Sequence, residues 1–284
     1  MADASLAMAQ AHMAQQVRQA ATVQAALSRL WDETVDPADL AKTFLVFREK
    51  AVTLIGAGRI LSERRADDYY RKLLAFKGLD TTGMPAVTAD PRPAAVIKSS
   101  LSAASSQALS RAEYLHRQGL PVAEALAVAK SAMLGSAKRQ VLNAGRNRLT
   151  RLARAHKRIR GWARVSDGNP CAFCAMLVSR GPVYSEDTVS FRAHDRCGCS
   201  VRLVTYDEPD GGWSPEARFY REAWDADKRA TMRAWYESRG MPVPEKFLPQ
   251  AGEHSFAEIM RRRKTDAQRA RRRADRLKAH VLAA

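Results

Sequence analysis

The chain has 284 residues, of which 46% are hydrophobic and 7% aromatic, and this length and composition allow a real hydrophobic core. They exclude a collagen, a disulfide-dense miniprotein and a wholly disordered chain, and they favour a helix-rich fold over a many-turned sandwich or barrel. The formal net charge of +17 points to a polyanionic partner, usually nucleic acid, although an anionic membrane surface or an acidic protein also satisfies it.

The first residues, 1–16, lack the basic and apolar regions of a secretory signal. No apolar run in the sequence reaches the roughly 18–20 residues that span a bilayer. We therefore expect a soluble protein that folds in a reducing cytoplasm.

Helical periodicity characterises the N-terminal helical region, residues 1–78. A first helix is followed by Asp36 and Pro37, which predict the cap and the first turn of a second helix. Gly56 and Gly58 are expected to end or bend this second helix, so that a third helix follows before the region ends.

Changes in composition divide the rest of the chain into six segments. Two short strands are predicted at 161–165 and 200–206, and Ser255 and Glu258 form a capping box that opens the last helix. The fold class is therefore mainly α with a small α+β segment, in which helical arms flank a compact core that contains the cysteines and a histidine. The segments are a linker at 79–93, a basic helical region at 94–159, the Cys/His α+β core at 160–208, a helical extension at 209–240, a linker at 241–254 and a basic C-terminal helix at 255–284.

The positive charge is concentrated in two stretches. Residues 125–166 contain eleven basic residues and no acidic one, and residues 255–284 contain ten basic residues and three acidic ones. Such clustering predicts non-specific contact with the phosphates of double-stranded DNA. The alternative is a solvated helix face together with a basic tail that aids solubility. The predicted DNA-binding residues are Arg146, Arg148, Arg151, Arg154, Lys157, Arg158, Arg261, Arg262, Arg263, Lys264, Arg269, Arg271, Arg272, Arg273 and Arg276.

All four cysteines lie in one short part of the chain. Cys171-x2-Cys174 is followed, after nineteen residues, by His194-x2-Cys197-x-Cys199. Two closely spaced thiols and a second arm with His and Cys predict a structural zinc site. We favour Cys171, Cys174, His194 and Cys197 as its four ligands, with Cys199 as a fifth candidate that can replace Cys197. A group of buried thiols, a disulfide formed after release from the cell, and a catalytic Cys–His pair are the alternatives.

The sequence around these cysteines resembles a known family. The run N-P-C-A-F-C-A-M-L-V-S-R-G-P-V-Y from Asn169 to Tyr184, followed by H-D-R-C-G-C from His194 to Cys199, is similar to the core of phage Mu F-like minor head proteins. The resemblance is closest to the version found in tailed phages of actinobacteria, and it covers about residues 162–206.

This resemblance implies a minor component of the capsid interior, near the portal vertex, that takes part in head morphogenesis. The implied partners are the portal protein, the inner capsid surface and packaged DNA. No membrane is implied in the mature head, and the protein passes through the host cytoplasm during assembly.

Two other functions stay open from the sequence. Some proteins of the Mu F-like family are labelled capsid maturation proteases, but no recognisable catalytic triad occurs here, so we assign no catalytic residue. The other is a zinc-containing nucleic-acid-binding regulator. The chain also departs from the common family pattern at Gly198, where many relatives carry a basic residue between the two cysteines.

Overall fold

The computed structural model describes residues 2–80, 94–168, 170–182, 191–266 and 268, with side chains described from residue 4 onward. These residues form two compact units, one drawn from 1–167 and 182–212 and the other from 168–181 and 213–284. Helices dominate, and the sheet in the described ranges is two-stranded and antiparallel. The predicted fold class is therefore confirmed.

The first unit combines four long helices with the sheet. Each helix is long enough to bury a continuous apolar stripe, and the sheet follows the last of the four helices. The elements are α1 (Ala2–Thr34), α2 (Leu40–Phe76), α3 (Ala94–Arg117), α4 (Val122–Ala155), β1 (Ile159–Val165) and β2 (Ser200–Thr205).

The connection between α1 and α2 is a short 3-10 turn, Pro37–Asp39. The carboxylate of Asp36 accepts a hydrogen bond from the backbone N–H of Ala38 at 2.8 Å, which satisfies an amide that the helix start would leave without a partner. The predicted cap at Asp36 and Pro37 is confirmed, with the α-helix itself beginning at Leu40.

The prediction that glycines end or bend the second helix is wrong. Helix α2 continues without interruption through Gly56 and Gly58. A Cβ atom at Gly58 would lie 2.9 Å from Cγ2 of Val23 in α1 and 3.0 Å from Cγ2 of Val141 in α4. Gly58 therefore allows α2 to pack closely against both helices, and its lack of a side chain serves helix packing rather than a break in the helix.

The core of this unit lies among the four helices. Trp31 of α1 meets Phe47 of α2 edge to face, with 5.1 Å between the ring centroids. Ile55, Leu101 and Val141 bring α2, α3 and α4 into the same buried cluster. Burial of large apolar side chains of this kind contributes about 1.5–3 kcal/mol each to the free energy of unfolding.

A buried polar contact lies beside this core. The amide of Gln16 in α1 donates to the backbone carbonyl of Ser62 in α2 at 2.8 Å, and the hydroxyl of Ser62 accepts from the backbone N–H of Gly145 in α4 at 3.1 Å. A Cβ at Gly145 would lie 2.6 Å from Nε2 of Gln16 and 2.9 Å from the Ser62 carbonyl oxygen. Only glycine at 145 leaves room for this contact among three helices.

The sheet confirms the two predicted strands within two residues of their expected bounds. Trp162 lies opposite Leu203 and Val165 lies opposite Ser200, and all four residues are buried. The pairing is irregular next to Gly161, close to the start of β1. Most side chains on both strands are buried, so the sheet is covered by protein on both faces.

The second unit contains α5 (Ala172–Val178), α6 (Pro215–Glu237) and a helix over residues 256–266, here α7. Val178, Tyr220 and Phe256 belong to its apolar core. The hydroxyl of Ser255 accepts from the backbone N–H of Glu258 at 3.2 Å, which is the hydroxyl half of the predicted capping box.

The predicted sequence segments combine differently in space. The regions 1–78 and 94–159 belong to one unit, because α1 to α4 share one core. Most of the predicted linker at 79–93 lies outside the described residues. Across the described ranges, no helix is both long and apolar enough to cross a membrane.

Candidate metal centre

The first pair of cysteines lies at the start of α5. Cys171 is the residue that caps this helix, and its Sγ accepts from the backbone N–H of Cys174 at 3.5 Å. The two residues are three apart, so one helical turn brings their side chains to the same end of the helix. Cys171 is exposed, whereas Cys174 is 1% exposed.

The second arm leads directly into β2. The backbone N–H of Cys197 donates to the carbonyl of His194 at 3.3 Å, and Arg196 adopts the left-handed conformation with φ of 67°. This turn is followed by Cys199, and both cysteines of the arm are at most 3% exposed. Nδ1 of His194 lies 2.6 Å from the carbonyl oxygen of Asp195. A carbonyl oxygen can only accept, so Nδ1 donates and the lone pair of a neutral ring lies on Nε2.

The five predicted ligands form two overlapping groups. In one group, Cys171, Cys174 and His194 have ligand atoms that all lie within 4.8 Å of one another. In the other, the thiols of Cys174, Cys197 and Cys199 satisfy the same limit. Cys174 is common to both groups. These donors are of the types that bind transition metals, and the clusters can hold a metal ion.

A buried arginine fixes the backbone of the second arm. Nε of Arg146 in α4 donates to the carbonyl of Cys199 at 2.9 Å, and Nη2 donates to the carbonyl of Cys197 at 2.8 Å. Nη1 donates to the side chain of Asn143 at 2.9 Å. The guanidinium also lies 3.8 Å from Sγ of Cys197, where a positive charge stabilises a thiolate, the form that binds metal.

Aromatic packing surrounds this arginine. Cζ of Arg164 in β1 lies 3.8 Å from the centroid of the Phe191 ring, and Cζ of Arg146 lies 4.9 Å from the same centroid. Trp162 packs against Phe191 with 5.7 Å between centroids. Cations over an aromatic ring are attracted by its negative face, so Phe191 stabilises two buried arginines at once.

Gly198 is explained by its neighbour Asp167. A Cβ at Gly198 would overlap the carboxylate of Asp167, with Oδ2 as the nearest atom. Glycine at position 198 is therefore a steric requirement in this chain, because the space that a side chain there needs is already filled.

Two predicted DNA-binding residues are buried, which contradicts their assignment. Arg146 is 2% exposed and contacts the backbone before β2. Arg148 is 9% exposed, and its Nε lies 2.7 Å from Oδ1 of Asp67 in α2. Arg151 is partly exposed and lies 3.5 Å from Glu63. Helix α4 packs against several elements, so its arginines do not form one solvated face.

The other predicted DNA-binding residues have different surroundings. Arg154, Lys157 and Arg158 are exposed at the end of α4 and in the turn that follows. Burial and then the charge of Arg158 lower the pKa of His156 in this turn. In α7, Arg261, Arg262 and Lys264 are exposed, whereas Arg263 is half-buried near the ring of Tyr220. Arg269, Arg271, Arg272, Arg273 and Arg276 lie outside the described residues.

The structural role of Arg146 was missed by the sequence analysis. Its position in a run of arginines made it indistinguishable from the exposed members of that run. The signal available in the sequence was that Leu142 and Leu149 lie four residues before and three residues after it, on the same face of α4. A pattern on one helix does not reveal which segment packs over it. The same holds for Arg148 and its ion pair with Asp67.

Comparison with known proteins gives the family to which this chain belongs. The model of the VG15 protein family matches residues 3–226, which is most of the chain, and the chain belongs to that family. A curated relative is the Gene 15 protein of Mycobacterium phage D29, with 39% identity over 72 residues. The match covers 24% of this chain and 26% of that relative, so the chain spans about a quarter of its length. No solved structure matches. Together these matches indicate a bacteriophage protein.

The buried guanidinium of Arg146 gives a testable prediction. Arg146→Ala leaves the carbonyls of Cys197 and Cys199 without these donors, so we expect the free energy of unfolding to fall by about 2–4 kcal/mol. Lys157→Ala, at an exposed position of the same basic run, is the matched control and should change it by less than about 0.5 kcal/mol. Urea denaturation followed by circular dichroism gives both values. Equal effects of the two substitutions would contradict the role of Arg146.

Proposed function

We propose that this protein is a minor head protein of the Mu F-like type, which lies inside the capsid near the portal and contacts packaged DNA. The observation that carries the proposal is the motif from Asn169 to Cys199 in a chain of the VG15 family that has a phage-encoded relative. The clustering of its cysteines and His194 supports it, because the residues that carry the resemblance are also the residues that meet in space.

An interior location has a direct test in phage particles. Basic residues are frequent in the chain, with 47 Lys and Arg, so trypsin should digest the accessible protein readily. In intact purified virions we expect the protein to survive trypsin, because the capsid shell excludes the protease. After the heads are disrupted by heat, it should be digested. Mass spectrometry of the particles before and after each treatment measures the result.

A surface-exposed tail protein serves as the internal control and should be cut in both samples. Digestion of this protein in intact particles would place it outside the shell. Its absence from virions that package DNA normally would contradict a role in the mature head.

Contact with DNA is supported by exposed cations in each unit. Lys157 and Arg158 in the first unit, and Arg261 and Lys264 in the second, have no carboxylate within ion-pair distance among the described residues. Their charge is therefore not neutralised by these parts of the protein. Such cations favour the phosphates of nucleic acid as partners, because binding releases the counterions that are condensed on the phosphates.

The salt dependence of binding tests which cations contact DNA. Neutralising Arg154, Lys157, Arg158 and Arg160 together to Gln should weaken binding to duplex DNA and flatten the plot of log affinity against log salt. Each lost phosphate contact lowers the slope by about 0.9. Fluorescence anisotropy with random-sequence duplexes over a series of salt concentrations gives the slope.

A charge-matched control uses four exposed cations outside the basic stretches. Neutralising Lys42, Lys50, Arg111 and Arg117 removes the same net charge and should leave the slope nearly unchanged. Identical slopes for both variants would show that general charge, and not this surface, binds DNA. Strong preference for one duplex sequence would instead favour the regulator, because a protein that contacts packaged genome has to accept any sequence.

We also propose that the cluster binds a metal ion and that this ion is zinc. Thiolates and a neutral imidazole are its usual protein ligands, and structural sites take four of them. Because Cys174 belongs to both groups, we propose it as one ligand, together with Cys171 and His194 from one group and Cys197 or Cys199 from the other. Zinc bound there would contribute folding free energy without a role in a reaction.

Elemental analysis tests the zinc proposal. Reduced protein purified without chelator should carry about one zinc ion per chain. His194→Ala should lower the zinc content and the thermal stability, whereas His254→Ala, at a histidine outside the cluster, should leave both unchanged. Protein that contains no zinc and whose melting temperature does not change in a chelator would overturn the proposal.

One observation favours the capsid maturation protease as a second candidate. Cys171 and His194 are both exposed and have ligand atoms within 4.8 Å of each other. A small side-chain movement would bring them to the hydrogen-bond distance of about 3 Å that a nucleophilic thiol and its base require. A Cys171→Ser variant that keeps its zinc and its fold but blocks processing of head proteins would support the protease. Loss of processing only together with loss of zinc would support the structural role.

A further inference from the structure

A groove runs between α1 and α2 on the first unit. Its volume is about 750 Å³, within the range of specific binding sites. The apolar floor includes Val23, Leu54 and Leu61. The small residues Ala26, Ala57 and Gly58 leave open space between the two helices. The charged residues of its lining are two arginines, Arg18 and Arg65, and no acidic residue lines it. The groove is thus apolar at its base and cationic at its edge.

Polar atoms in this groove lack partners in the described part of the chain. Gln19 is 7% exposed, and its Oε1 accepts no hydrogen bond, although its Nε2 donates to the carbonyl of Gly58 at 2.7 Å. Nε of Arg65 is likewise buried without an acceptor. Neither Arg18 nor Arg65 has a carboxylate within ion-pair distance among the residues described. Buried polar atoms without partners are costly, so a side-chain adjustment that lets an occupant of the groove supply partners would be favourable.

The neighbouring histidine adds no charge to this end of the groove. Burial, and then the charge of Arg65, lower the pKa of His12 to about 4, so its ring is neutral near pH 7. His12 is 4% exposed, and its Nδ1 also has no hydrogen-bond partner in the described residues. His12 therefore neither adds to the charge of Arg65 nor competes with it for an external anion.

The same unit presents an acidic tip elsewhere on its surface. The connection between α1 and α2 and the residues beside it carry four carboxylates, Asp32, Glu33, Asp36 and Asp39, and no basic residue between positions 30 and 41. All four are exposed. Asp32 contacts Lys130 at 2.7 Å and Asp36 caps the turn, which leaves Glu33 and Asp39 as the charges available to a partner.

We propose that the acidic tip of one copy of this chain docks in the groove of a second copy. Carboxylates of Glu33 and Asp39 would meet Arg18 and Arg65, and Pro37 and Ala38 at the tip would cover the apolar floor. Both surfaces belong to the first unit, and the inference does not depend on the proposed function. The two surfaces differ, so the contact is head to tail and continues beyond a dimer into rings or open chains.

The groove fits a protein segment better than DNA. A phosphate backbone has no apolar surface to cover Val23, Leu54 and Leu61, and it provides no donor for Oε1 of Gln19. A polypeptide turn offers carboxylates, apolar side chains and backbone N–H groups together. The complementary charge is present on this chain itself, which is why a second copy is the occupant that the structure favours.

Sedimentation velocity of nuclease-treated, DNA-free full-length protein tests the proposal. The wild-type chain should form species larger than a dimer as its concentration rises, and association should weaken about tenfold or more at high salt, which screens exposed charges. The groove variant Arg18→Glu/Arg65→Glu and the tip variant Glu33→Arg/Asp39→Arg should each be monomeric under the same conditions.

Mixing these two variants supplies the decisive result. The reversed tip of one complements the reversed groove of the other, so an equimolar mixture should associate again. Lys50→Glu/Arg111→Glu is the control, since it changes net charge by the same amount as the groove variant at exposed positions outside the groove, and it should associate like wild type. Circular dichroism checks that every variant is folded.

Three outcomes would overturn the inference. A wild-type chain that stays monomeric at all concentrations shows that a second copy does not occupy the groove. A folded groove variant that associates like wild type shows that another surface is responsible. Failure of the mixture to associate, with both variants folded, shows that the tip and groove are not each other's partners.

Discussion

The backbone conformation of the second arm, at Cys197 and Cys199, depends on one buried cation. Arg146 is 2% exposed, less than any other charged residue in the described part of the chain, and its guanidinium donates to the carbonyl groups of Cys197 and Cys199. Backbone carbonyls next to a strand start normally bond to water or to a neighbouring strand. Here a side chain from α4 takes that place, and it positions the thiols that precede β2 relative to a helix of the main core. The geometry of this arm therefore depends on the position of α4.

The same helix shows how the unit achieves close packing. Gly58 and Gly145 lie where α1, α2 and α4 approach one another, and a methyl group at either position would overlap a neighbouring side chain. Glycine costs about 0.5–1 kcal/mol relative to alanine in a helix interior. This cost is offset because the helices can approach closely. Val23 and Val141 then contact α2, and hydrogen bonds join Gln16, Ser62 and the backbone of α4. Polar and apolar interactions between the helices therefore depend on the same two small residues.

Local signals predicted much of the fold. The cap at Asp36, the hydroxyl cap at Ser255 and both strands follow from residue type and spacing, and all are found in the structure. The cysteines and His194 were also recognised as a group, because only a few residue types commonly bind transition metals. Each of these features depends on residues that are close in sequence or that have few alternative uses.

What failed were inferences that require knowledge of neighbours. An arginine on a helix looks the same in sequence whether it points to solvent or into protein, so Arg146 and Arg148 were grouped with the exposed Arg158. Their partners, the carbonyls before β2 and the carboxylate of Asp67, come from distant parts of the chain. The prediction that Gly58 ends or bends a helix failed for a related reason. Helix breaking is a local property of the sequence, whereas close packing depends on residues that are distant in the sequence. Periodicity identifies a helix but not the number of elements that pack around it.

The contact between Gly198 and Asp167 has an evolutionary consequence. Because the carboxylate fills the volume that a side chain at 198 would need, the two positions cannot vary independently. A chain that acquires a basic residue at 198 must first shorten or redirect the residue at 167, or the bulky intermediate will strain the turn before β2. Substitution at 167 should therefore precede substitution at 198 along a lineage, and the two positions should show correlated replacement among chains with this fold.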